Sequence, residues 1–169
     1  MIRKQDPDYY FIIENMIDNN DSDEIIIKEL DKIKDNNIYL KNDILSLFIV
    51  NRRFEILNYL YGKQIPFIYK DAAGATALHV ACGISGSLPA VKFLFENHLL
   101  TDVNAKTDEN ETPFLLAVMY NHEDIIRYFL QHSKPDFSIN TIYGESVFSL
   151  AKKNNNKEII KLLEQYSPC

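Results

Sequence analysis

The chain has 169 residues, 46% of them hydrophobic, with 18 basic against 24 acidic side chains and a formal net charge of -6. That length suits one domain with a sizeable core, and no run of Lys and Arg is dense enough to track a phosphate backbone, so nucleic acid is not the expected partner. The two cysteines, Cys82 and Cys169, cannot build a disulfide framework and have no second ligand at metal spacing, which fits a reducing intracellular setting.

The first 37 residues are acid-rich: Asp6, Asp8, Glu14, Asp18, Asp21, Asp23, Glu24, Glu29, Asp31 and Asp35 outnumber five Lys and Arg. Ile12, Ile13, Met16 and Ile17, followed by Ile25, Ile26, Leu30 and Ile33, have helical spacing and predict a helical cap with solvated charged faces. The opening "MIRKQDPDYY" has no signal-peptide core, and the longest apolar run, Ile44 to Val50, is far too short to cross a bilayer.

From residue 38 onward the chain repeats. "TALHVAC" at Thr76, "TPFLLAV" at Thr112 and "SVFSLAK" at Ser146 start 36 and 34 residues apart, and "DILSLFI" at Asp43 reads as a fourth copy upstream. Each copy is followed by a second apolar run of helical spacing: Ile56, Leu57, Leu60; Val91, Leu94, Phe95; Ile125, Ile126, Phe129, Leu130; Ile159, Ile160, Leu163. Between repeats lie "YKDAAGA", "AKTDENE" and "NTIYGES", where Gly74, Asn110 and Gly144 correspond and supply the positive φ of a tight hairpin.

The period and "GATALHVA" together resemble the ankyrin repeat family, whose signature Thr-Pro-Leu-His-x-Ala opens the first helix of each repeat. Ala77 stands where the signature has Pro; "ETPFLLAV" keeps Pro113 and replaces the His by Leu115; "DVNAK" at Asp102 to Lys106 is a second hallmark. The resemblance implies an all-α fold, an ankyrin repeat solenoid of helix-turn-helix pairs joined by β-hairpin-like loops, with four repeats at 38–70, 71–106, 107–140 and 141–165. A degenerate helical N-terminal cap covers 1–37 and a tail 166–169, all in one cooperative domain. In this reading Thr76 caps a helix, the His79 side chain ties successive turns through the backbone, and Ala81, Cys82, Ala117 and Ala151 are small because inner helices approach closely. Lys152, Lys157 and Lys161 suit a solvent-facing final repeat. The connection after Cys82 is longer than the family's, giving either a tolerated spacer or a protruding contact of Ile84, Ser85 and Ser87.

No constellation for catalysis emerges. "GISGS" lacks the strand-turn-helix setting of a nucleophile elbow, no glycine-rich phosphate loop exists, and His98, His122 and His132 have no metal spacing. No enzymatic activity, cofactor or metal is expected. What the resemblance implies is a cytoplasmic, monomeric protein-protein interaction module, an adaptor or inhibitor without membrane insertion, binding a protein or peptide through its hairpin tips and the concave side of its inner helices. The tips are Tyr39, Leu40, Ala72, Ala73, Ala75, Asp108, Glu109, Glu111, Ile142, Tyr143 and Glu145, and the inner helices contribute Val50, Asn51, Gly83, Ile84, Met119, Tyr120, Lys153 and Asn154. The partner-binding set is Ala72, Ala73, Ile84, Asp108, Glu109, Met119, Tyr120, Ile142 and Tyr143, with Ile84, Met119, Tyr120, Ile142 and Tyr143 as energetic centre. The competing reading is packing: Ile142 and Tyr143 folded back onto the next hairpin, Met119 filling a gap between helices. A second function class is a targeting or substrate-recognition domain of a larger enzyme or effector. The Ile, Asn and Lys bias suits an AT-rich genome, as in intracellular bacteria, protists or large DNA viruses, and extends the reading to a pathogen protein acting in the host cytosol.

Overall fold

A computed structural model describes residues 8–34, 44–65, 67, 70–83, 87–99 and 102–167. The chain divides into two compact units, 1–69 and 70–169. Ten α-helices account for the regular structure of the described residues, with one isolated antiparallel bridge between Lys70 and Thr76.

In the first unit, α1 (Tyr9–Asp18) packs on α2 (Asp23–Leu30) and on α3 (Ile44–Val50), while α4 (Phe54–Gly62) packs on α2 and α3. Asp8 caps α1 by accepting the Phe11 N–H at 3.3 Å. Ile13, Ile26, Leu30, Phe48, Ile49 and Leu57 form the core, but Ile25, part of the expected stripe, is 48% exposed. Successive helical residues lie about 100° apart, and of this pair only Ile26, 0% exposed, falls on the packed side of α2. The acids of this unit are partly committed to local cations. Arg53 reaches Asp23 at 2.9 Å with both side chains mostly buried, and Asp31 accepts from the Tyr59 hydroxyl and from Lys63 at 3.2 Å. Those two hydrogen bonds, the tyrosine's first, hold the Asp31 carboxyl below its ordinary pKa.

The second unit holds three helix pairs: α5 (Ala77–Cys82) with α6 (Leu88–Glu96), α7 (Pro113–Met119) with α8 (Glu123–His132), and α9 (Val147–Lys153) with α10 (Lys157–Tyr166). The inner helices stack as α5, α7, α9 and the outer ones as α6, α8, α10. Ala81, Cys82, Ala117 and Ala151 are all fully buried, as close inner-helix approach requires. Pro113 opens α7 without loss because the first helical N–H has no intrahelical acceptor, and the Thr112 hydroxyl accepts the Leu115 N–H at 3.1 Å. In α10 the apolar Ile159, Leu162 and Leu163 are buried and Lys157 and Lys161 are exposed.

The proposed protrusion after Cys82 requires a correction. Ser87 is 2% exposed, because its hydroxyl accepts the Ala90 N–H at 3.4 Å and its own N–H bonds Ala81 O at 3.0 Å, making it the cap of α6. Ile84 and Ser85 lie outside the described residues, as do Tyr39 and Leu40.

Candidate functional site: the hairpin ridge and the hollow behind it

Three hairpins in the second unit are built to one plan. The N–H of residues 71, 107 and 141 bonds the carbonyl of residues 75, 111 and 145 at 2.9, 3.0 and 3.0 Å. The side chain at the same first position, Asp71 Oδ1, Thr107 Oγ1 or Thr141 Oγ1, accepts the N–H of residue 75, 111 or 145 at 2.8, 3.2 and 3.2 Å. The fourth position turns through the left-handed region, with φ of 79° at Gly74, 57° at Asn110 and 77° at Gly144. Asn tolerates that region better than other side chains, which explains the substitution within the series.

Neighbouring hairpins are joined through the backbone. Asp108 N–H donates to Ala73 O and Ile142 N–H donates to Glu109 O, both at 2.9 Å. The tips thus line up as a ridge that reads small apolar, acidic, large apolar: Ala72 and Ala73, then Asp108 and Glu109, then Ile142 and Tyr143. All six are exposed.

His79 fixes the ridge to the helices. Its Nδ1 accepts the Thr76 N–H at 3.1 Å and lies 2.9 Å from Thr76 Oγ1, so the ring proton sits on Nε2, which donates to Ala105 O at 3.0 Å and Glu111 O at 3.2 Å. The ring is 2% exposed, and burial pushes its pKa below the ordinary histidine value despite the opposing pull of those two carbonyls. A neutral, fully bonded imidazole is a structural clamp with no lone pair left for a metal or a proton relay. His122 Nε2 makes a weaker contact of the same kind to Gly83 O at 3.3 Å, and the Asn154 amide donates to Val118 O and Met119 O at 2.9 Å each.

Behind the ridge lies a hollow of about 320 Å³ lined by the hairpins, α5 and α7, with Asp71, His79, Val80, Glu109, Glu111, Leu116 and Tyr120 among its walls. Tyr120 is 53% exposed, stacks on His122 with centroids 6.3 Å apart, and comes close to Gly83, where an added Cβ would sit 3.7 Å from the ring and 3.2 Å from His79 O. Burial first, and then the Glu109 and Glu145 charges, raise the Glu111 carboxyl above its ordinary pKa.

The expected contact residues are placed as follows. Ala72, Ala73, Asp108, Glu109, Tyr120, Ile142 and Tyr143 are exposed, and Met119 is half-buried. Ile142 at 55% and Tyr143 at 70% are not folded back onto another hairpin. Ile84 falls outside the described residues. Sequence reasoning did not single out Asp71, Thr107 or Leu116 as hollow-lining; the signal available was the repeat register, which aligns Asp71 with Thr107 and Thr141. Cys82 is fully buried and its thiol pKa is driven well up by burial, which makes it inert as a nucleophile. Among the described residues no group of three or more His, Cys, Asp or Glu could hold a metal ion, and no helix is long and apolar enough to cross a membrane.

Comparison with known proteins agrees with this geometry. Residues 84–168 match the family model described as ankyrin repeats (3 copies). An ankyrin repeat protein of Rickettsia bellii (strain RML369-C) is 49% identical over 73 residues, which are 43% of this chain; the match spans 61% of the relative's length.

Proposed function

Because the chain belongs to the ankyrin repeat family, whose repeats are generally protein-protein interaction modules, we propose that it is a binding protein, an adaptor or inhibitor, which engages a protein or peptide through the ridge and the inner-helix face. Its action is occlusion or recruitment and involves no turnover. The single observation that supports this most is the row of large apolar side chains left in water: Tyr120, Ile142 and Tyr143 lie on the hairpin and inner-helix side of the second unit, half or more exposed. Such residues are costly to leave uncovered and are enriched at the energetic centres of interfaces. The site is a face anchored by stacked hairpins, so its backbone shape is set before any partner arrives. The Ile, Asn and Lys bias together with the rickettsial relative supports the extension to a pathogen protein acting on host partners.

The test is affinity capture from lysate with the native chain beside a variant carrying Met119, Tyr120, Ile142 and Tyr143 changed to Ser, after circular dichroism has shown equal helix content. A partner held by the native chain and released by the variant is the expected result. Equal retention by both would move binding away from this face and overturn the proposal.

A further inference from the structure

The chemistry of the hollow is one-sided. No Lys or Arg lines it, its one imidazole N–H, His79 Nε2–H, is spent on two carbonyls, and Thr107 Oγ1 accepts the Glu111 N–H. What it offers a ligand is negative charge, the carboxylates of Glu109 and Glu111 and that of Asp71, whose Oδ1 already accepts the Ala73 and Ala75 N–H groups, together with Tyr120 and Leu116. Among the described residues neither Glu109 nor Glu111 has an ion-pair partner. The cations close by are Lys153, held on Glu145 at 3.0 Å, and Lys70, next to Asp71 in the chain. Neither lines the hollow.

Glu109 also carries the backbone carbonyl that joins its hairpin to Ile142. The acidic hollow and the apolar tip of Ile142 and Tyr143 are therefore adjoining parts of one surface, with Ala72 and Ala73 on the other flank. We propose that the hollow receives an arginine or lysine side chain from an extended segment of a partner protein, whose neighbouring apolar side chains rest on Ile142 and Tyr143. This rests on the reading of the ridge as a protein-binding face and names the chemistry of what it binds.

The fit is complementary in both parts of a basic side chain. An apolar stem of three or four methylenes lies along Tyr120 and Leu116, and the charged head reaches carboxylates that face no competing cation. Hydrogen bonds in which both partners are charged are the strong ones, and an arginine fork satisfies two acceptors at once. An acidic or phosphorylated segment would instead meet like charge, which excludes it by repulsion.

The experiment pans a random phage-displayed peptide library on the immobilised full chain and measures the retained peptides, dye-labelled, by fluorescence anisotropy against three variants: Glu109→Gln with Glu111→Gln, Glu109→Lys, and Tyr120→Ser with Tyr143→Ser. The expected result is enrichment of Arg or Lys beside an apolar residue, with binding weakened about tenfold by the double Gln variant. Glu109→Lys, which keeps the hairpin backbone, is expected to abolish binding of the basic peptides. Peptides that lose binding in the tyrosine variant yet carry no basic residue, or are indifferent to the Gln variant, would overturn the charge assignment and leave the face intact. Peptides indifferent to all three variants, or none retained, would overturn both.

Discussion

Replacing His79 by Leu keeps most of the side-chain volume and removes every polar contact of the clamp. The Thr76 N–H, on a residue only 4% exposed, loses its 3.1 Å acceptor, and an unpaired buried donor costs about 1–3 kcal/mol. The carbonyls of Ala105 and Glu111, on half-buried residues that water reaches, lose the Nε2–H, for about 0.5–1.5 kcal/mol more. The expected loss of unfolding free energy is about 2–4 kcal/mol, read by urea titration with far-ultraviolet circular dichroism. The parent also has a pH signature. Burial holds folded His79 below the ordinary 6.5, so as pH falls the unfolded chain takes the proton first. The contribution is complete above that value and declines below it, at no more than about 1.4 kcal/mol per pH unit. The Leu variant lacks this component, so its stability falls less between about pH 8 and about pH 5.5 than the parent's does. A loss under about 0.5 kcal/mol, or identical pH dependence in parent and variant, would refute the clamp.

Three further outcomes are expected. At Gly144, with φ of 77° and nothing within 4 Å of an added Cβ, Val costs only left-handed backbone strain, about 1–2 kcal/mol, whereas Asn costs less than half of that; thermal melts compare them. Glu111→Gln raises stability at neutral pH, because a carboxyl whose folded pKa lies above its unfolded value loses stability as pH rises through it. Glu111 is half-buried and still reached by water, so screening keeps the gain under about 0.5 kcal/mol, and the gain disappears in acid where both states are protonated. In a Cys169→Ser background, Cys82 is expected to resist Ellman's reagent until the chain unfolds, with a reaction rate that tracks denaturant; a fast reaction in native buffer would contradict its burial.

The repeat was legible because each of its signals has a local physical cause. Thr76, Thr112 and Ser146 cap helices, small residues sit where helices touch, and Gly74, Asn110 and Gly144 occupy a left-handed backbone region that favours Gly and Asn. Where the sequence misled, the fact that decided was not local. Ser87 looked like part of an exposed insertion, yet it is a buried cap, because capping depends on where the next helix starts and an irregular connection does not reveal that. Ile25 belonged to an apolar stripe by spacing, but the side of α2 that meets α1 and α4 selected Ile26.

The site divides along the same line. That Tyr120, Ile142 and Tyr143 would be tips or inner-face residues follows from register alone, since residues at equal positions in successive repeats share a face. Whether they stand in solvent depends on the neighbouring turn: the Ile142 N–H is held on Glu109 O, which fixes the hairpin backbone, and at 55% and 70% exposure Ile142 and Tyr143 remain in solvent. The hollow was less accessible still, because its lining comes from two repeats and its character from what those repeats have already consumed. His79 reads in sequence as a backbone tie, and in three dimensions both its nitrogens are indeed spent on the backbone, while carboxylates of the neighbouring hairpins line the hollow beside it. In this array the polar residues at recurring positions, such as Thr107 and Thr141, hold the backbone, whereas the exposed tip position changes from Ala73 to Glu109 to Tyr143, and on the proposed reading that variable position selects the partner.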